Sequence, residues 1–206
     1  MILRDFNESH VDFYRNIYDQ EATTGIVNDT LGSDGKPQCI NPSGTNDPPH
    51  QPMLDDCSMF HTWFNDNATW NKRVDLNLTL DYDPDTFVSS YENNNFFPLD
   101  GIAFNEWTSA YGSVPHNHFF TTEITILFAY RGGETFQFSG DDDIWVYIDG
   151  ILRIDLGGVH PELEASVNLD MLGLEVNRNY IMNIFHAERQ VSHPVPFYIH
   201  VTHPAC

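Results

Sequence analysis

The sequence predicts an all-β protein, a sandwich or barrel of roughly eight to ten short antiparallel strands. Three observations carry this. Val74 to Tyr82 alternates strictly, with Val74, Leu76, Leu78 and Leu80 on one face and Asp75, Asn77, Thr79 and Asp81 on the other, the period of a half-buried strand. Phe136 to His160 reads as strand, acidic turn, strand, Asp-Gly turn, strand. After His160, Ala165–Leu169, Asn179–Phe185 and Phe197–Thr202 are further short apolar runs separated by turns.

Taken in order, residues 1–24 carry Phe6, Val11, Phe13, Ile17 and Tyr18. Val11, Tyr14 and Tyr18 sit at helical spacing with Ser9 as a cap, so a short helix over a sheet is predicted. Gly25 to Gly32 is turn-rich. Residues 33–56 hold Pro37, Pro42, Pro48, Pro49 and Pro52 among Gly, Asn and Asp, which indicates a long surface loop. Phe60, Trp63 and Phe64 recur at i, i+3, i+4. Such a stripe predicts a short helix whose aromatic face is core rather than a sugar-stacking platform. Residues 83–121 read as loop-rich. Thr122 to Tyr130 is a strand with Ile124, Ile126, Phe128 and Tyr130 on one face, and Gly132-Gly133 is a turn. Phe136 and Phe138 alternate with polar neighbours before Asp141, Asp142 and Asp143 interrupt the pattern. Ile144–Ile148 and Ile151–Ile154 flank the Asp149-Gly150 hairpin turn. Gly157-Gly158 permits close backbone approach. Residues 188–196 are a polar loop, and Phe197, Ile199 and Val201 point inward on the last strand. No Gly/Ser or Pro linker divides the chain, so residues 1–206 are read as a single domain.

Composition narrows the partners. Thirty acidic residues face nine basic ones, only Lys36 and Lys72 being lysine, for a net charge of −21. That charge repels phosphate backbones and anionic bilayers, so neither nucleic acid nor membrane insertion is expected. Hydrophobic residues make up 41%, enough for a folded core. Cys39 and Cys57 flank the Pro-rich segment and are candidates to close one loop, while the odd Cys206 ends the chain. Asn7, Asn28, Asn67 and Asn77 are glycosylation acceptors; Asn41 is excluded by Pro42. Together these favour a secreted or cell-surface, oxidising setting. The terminal cysteine and the immediate onset of domain-like sequence imply a segment cut from a longer protein.

The motif Phe-x-Phe-x-Gly-Asp-Asp-Asp-x-Trp-Val-x-Ile-Asp-Gly-x-Leu-x-x-Asp-Leu-Gly-Gly-x-His, residues 136–160, resembles the fibro-slime domain, a branch of the PA14 β-sandwich group of sugar-binding and adhesion modules. Arg4-Asp5-Phe6, Gly25-Ile26-Val27, Leu31-Gly32, Asn95 to Asp100 and Phe185-His186-Ala187-Glu188-Arg189 fall in the family's order, so the likeness covers nearly the whole chain. It implies an antiparallel β-sandwich with long loops and one or two short helices. It further implies Ca²⁺ held by two consecutive aspartates joined through a cis peptide bond, Asp141 and Asp142 here, with the ion binding neighbouring sugar hydroxyls. The family's usual glycine at the third position is Asp143 here. Calcium takes six to eight oxygens, so more donors are required. The late loop offers Glu188, Gln190 and the carbonyl of Ser192. Asp143, Arg189 and Gln190 are candidates to border the ligand; Arg189 pairing with Asp143 as a structural salt bridge is the plainer alternative. His160 and His186 read as hydrogen-bonded structural residues.

The expected function is therefore non-enzymatic: an extracellular calcium-dependent carbohydrate-binding module whose partners are glycans or glycoproteins of a cell surface or matrix. The alternative is a structural or signalling module of a matrix or surface glycoprotein with purely structural calcium. A third reading is a cupin-like metalloenzyme, because His116-x-His118-x4-Glu123 has ligand spacing for iron, manganese or zinc. The flanking glycines and a missing proline before Gly157-Gly158 weigh against it. No Gly-x-Ser-x-Gly, phosphate-cradling glycine loop or Cys-x-x-Cys is present.

Overall fold

The structure is a computed structural model that describes residues 1–13, 17–49, 51–104, 116–189 and 195–203. Among the described residues there are eleven strands. In chain order these are β1 (Ile2–Phe6), β2 (Asn71–Asp75), β3 (Asp81–Asp83), β4 (Val88–Asn93), β5 (Phe120–Ala129) and β6 (Thr135–Gly140). They continue as β7 (Asp143–Ile148), β8 (Ile151–Leu156), β9 (Leu163–Asn168), β10 (Asn179–Glu188) and β11 (Phe197–Thr202). They form two antiparallel sheets, β2-β1-β5-β10-β7-β8 and β3-β4-β11-β6-β9, so the sandwich is the fold. Among the described residues helical structure is limited to the 3₁₀ turns Phe60–Thr62 and Leu169–Leu172.

The core between the sheets is built from alternate residues of facing strands. Ile124 of β5, Ile144, Val146 and Ile148 of β7, and Met182 and Ile184 of β10 meet Phe136 and Phe138 of β6 and Phe197 and Ile199 of β11. Side chains one residue out of phase should face water. Leu127 and Ile181, at one end of the first sheet, do, but towards its other end they do not. Trp145, Tyr147, Phe185 and Ala187 join a second core with Phe6, Phe13, Ile26, Val27, Met53, Leu54, Phe60, Trp63 and Phe64. The long segment between β1 and β2 thus lies across the outside of this sheet, and every residue of β7 is buried. Such a strand shows a continuous apolar run instead of alternation, which is what Ile144–Ile148 displays. The Phe60–Trp63–Phe64 stripe is core, as its spacing predicts.

Three expectations require correction. The run Val74–Tyr82 is not one strand. Its pairing with β1 ends near Leu76, whose amide donates to the Met1 carbonyl at 3.1 Å; residues 76–80 carry no ladder, and β3 then pairs with β4 in the other sheet. Leu76, Leu78 and Leu80 still pack on the core while Asn77 and Thr79 stay exposed. The alternation is real, but it belongs to a segment crossing between sheets. Second, the loop-rich reading of 83–121 misses β4, whose Ser-Ser-Tyr-Glu-Asn is too polar to show a pattern. Third, the N-terminus enters as β1 in the first sheet. The predicted helix falls partly on Tyr14, outside the described residues; Val11 and Tyr18 are exposed, and residues 11–13 form a turn.

Candidate functional site

The end of the sandwich where β6 passes into β7 carries Asp141-Asp142-Asp143. Register sets its neighbour: Ala187 of β10 pairs with Asp143, so Glu188 and Arg189 arrive beside the turn. All three aspartates are buried, at 8%, 2% and 0% exposure. Asp142 adopts a left-handed backbone, φ 58°, which aspartate tolerates better than most residues. The turn is closed locally, the Asp142 amide donating to Asp141 Oδ1 at 2.8 Å. The Asp141–Asp142 bond is trans, since Asp47–Pro48 is the cis peptide among the described residues; the cis bond that the family resemblance implies is not present.

Arg189 organises this end. Its Nε donates to Asp143 Oδ2 at 2.6 Å and its Nη2 to Asp143 Oδ1 at 3.1 Å, a bidentate pair. Nη1 donates to the carbonyls of Asp12 (3.2 Å) and Met53 (3.1 Å), and the guanidinium stacks 4.8 Å from the Trp63 ring centroid. The Arg189 amide donates to Asp142 Oδ2 at 2.8 Å. Because Asp143 opens β7 and Arg189 directly follows β10, and the guanidinium reaches Asp12, Met53 and Trp63, the pair ties the overlying segment to the sheet. Asp143 also accepts from the Gly158 amide at 2.7 Å. A side chain at Gly157 would meet the Thr23 carbonyl at 2.8 Å, and Gly158 holds φ 92°, so both positions require glycine.

One cation against three carboxylates leaves the turn electronegative. The Asp142 carboxyl is pushed well above the usual carboxylate range, first by burial, then by Asp141 and Asp143. His186, fully buried, faces the Asp141 carbonyl through Nε2 at 3.2 Å; burial lowers it to about 4, so it is a neutral donor. His160 has the Pro161 and Leu156 carbonyls at 2.7 and 3.1 Å.

Of the predicted site residues, Asp141, Asp142, Asp143, Glu188 and Arg189 lie at this one end. Gln190 and Ser192 fall outside the described residues. Arg189 and Asp143 are turned inward onto each other. Hard, anionic oxygens crowded at low exposure fit a divalent ion such as Ca²⁺ in kind, although among the described residues no group of three or more His, Cys, Asp or Glu is disposed to hold one. The transition-metal triad is not assembled: Glu123 is bonded by Arg4 (Oε2, 3.0 Å) and by Lys36, and His116 Nδ1 pairs with Asp100 Oδ2 at 2.6 Å. With a sandwich in place of a cupin barrel, that enzymatic reading is set aside. Cys39 and Cys57 are joined by a disulfide, Cα atoms 5.4 Å apart. Asn28 and Asn77 are exposed, Asn7 and Asn67 half-buried. Spacing alone did not reveal the Asp12, Met53 and Trp63 contacts of Arg189, because they come from far along the chain.

The PA14 domain family model matches residues 63–202. The chain therefore belongs to the PA14 domain family, a group of carbohydrate-binding and adhesion modules. Among its relatives, protein psiD of Dictyostelium discoideum is 38% identical over 194 residues, covering 91% of this chain and 38% of psiD. Protein psiQ of the same organism is 36% identical over 177 residues, covering 82% of this chain and 17% of psiQ. The chain thus spans well under half the length of these relatives. A β-glucosidase from Kluyveromyces marxianus, crystallised with glucose, matches 43% of this chain and 12% of its own at 13% identity and a TM-score of 0.32, too distant to bear on fold or activity. Among the described residues no helix is long and apolar enough to cross a membrane.

Proposed function

We propose that this chain is a non-catalytic, extracellular carbohydrate-binding module whose ligand site lies at the Asp141–Asp142 turn and depends on Ca²⁺. The observation that supports it is the buried Asp142, whose carboxylate is disfavoured by two adjacent aspartates. A proton or a cation relieves that cost, and at neutral pH a divalent ion is the effective one. Asp141 and Asp142 would hold the ion, with Glu188, Gln190 and the Ser192 carbonyl as further donors. Bound calcium would supply open coordination positions for neighbouring sugar hydroxyls. The chain's own part is to fix the aspartates: the Asp142 amide locks Asp141, the Arg189 amide orients Asp142, and Arg189 removes Asp143 from competition. Affinity per site would be weak, and repeated display in a longer glycoprotein would raise avidity.

Calcium titration followed by glycan-array binding tests this. Binding is expected to vanish in chelator and in Asp142→Asn; binding unchanged by chelator overturns it. The 2% exposure of Asp142 also favours a second reading, a scaffold or signalling module in which calcium only stiffens the loop. That reading gives calcium-dependent melting without glycan binding.

A further inference from the structure

At the end of the sandwich opposite the aspartates, the two sheets part around a cleft of about 210 Å³. It opens between the last residues of β5 and the first of β10 on one side, and β4 and the end of β11 on the other. Leu80, Ile126, Phe128, Leu169, Met182 and Val201 give it an apolar wall, while His203, exposed and 3.0 Å from Ser89 Oγ through Nε2, stands at its rim. Among the described residues one charged side chain lines it: Glu134, only 3% exposed. Its Oε1 accepts from the Arg131 amide at 2.6 Å, but among the described residues its Oε2 is buried with no hydrogen-bond partner. A carboxylate oxygen withdrawn from water and left without a donor is costly. Here it is set in an apolar cleft larger than the roughly 150 Å³ cavity that accommodates benzene.

We infer that this cleft binds a small organic cation, an ammonium group on an apolar body of about eight non-hydrogen atoms in all. The body would fill the wall formed by the two sheets, and the ammonium would donate to Glu134 Oε2. Charge complementarity selects this occupant: a neutral apolar molecule leaves Oε2 unsatisfied, and an anion is repelled by it. The site is independent of calcium, being built on the other end of the strands.

The test uses the 206-residue chain with benzylamine, its isostere benzyl alcohol, and benzoate, followed by methyl NMR shifts of Ile126, Leu169 and Val201 and by calorimetry. Benzylamine is expected to bind at this cleft at least tenfold more tightly than benzyl alcohol, and benzoate not at all. Glu134→Gln should abolish the preference for the amine while the alcohol still binds; Val201→Phe, which adds bulk to the apolar wall, should weaken both. Equal binding of amine and alcohol, a preference that survives Glu134→Gln, or no saturable shift with either compound overturns the proposal.

Discussion

Arg189 is the residue on which the aspartate end most depends. It is 1% exposed and reaches an acid, two backbone carbonyls and an indole face. Removing its charge leaves Asp143 buried and unpaired, a loss of about 3–5 kcal/mol. Arg189→Met should show this in urea unfolding, and Arg189→Met with Asp143→Leu should recover much of it, because an apolar pair carries no desolvation cost. His186 makes a second prediction. Burial lowers its pKa to about 4, as it does for His10 and His118. The unfolded chain therefore binds more protons between about pH 6.5 and 4, so stability is full above pH 6.5 and falls as pH drops through that window. Each such histidine contributes up to about 3 kcal/mol. Equilibrium unfolding of His186→Gln from pH 7 to 4 is expected to show a shallower decline.

At the scale of elements, the segment between β1 and β2 is held by few regular hydrogen bonds and depends on side chains and a covalent tie. The Cys39–Cys57 disulfide closes a loop with a sequence separation of 18, worth about 3 kcal/mol by loop-closure entropy. Replacing both cysteines by serine should lower stability by that amount and loosen the cover over Trp145 and Tyr147, read as increased tryptophan quenching. The β7–β8 hairpin was legible from its turn residues alone: Asp149 and Gly150 hold φ 53° and 76°, the pair of left-handed residues that Asp-Gly favours. The break in Val74–Tyr82 was not legible, since alternation reports which side chains are buried and not which strand supplies the hydrogen bonds.

For the whole molecule, a net charge of −21 sets the terms of stability. Burial and then repulsion from Asp141 and Asp143 act together on Asp142. Because the pKa of Asp142 is raised, its unfavourable contribution appears as pH rises through that raised value and is absent in acid. Calcium is therefore expected to raise Tm much more at pH 7 than at pH 4, with the difference largely lost in Asp142→Asn; equal shifts at both pH values would place the ion elsewhere.

The sequence by itself determined the all-β class, most strand positions from β5 onward, the aspartate turn and its likeness to the PA14 family, because each is written in local period or in adjacent residues. Only tertiary structure decided that β7 is covered on both faces, that Arg189 belongs to Asp143 and Trp63, and that Glu134 lines an apolar cleft. Those facts depend on residues brought together from distant parts of the chain by sheet order, and burial at such meetings is a property of the packed whole.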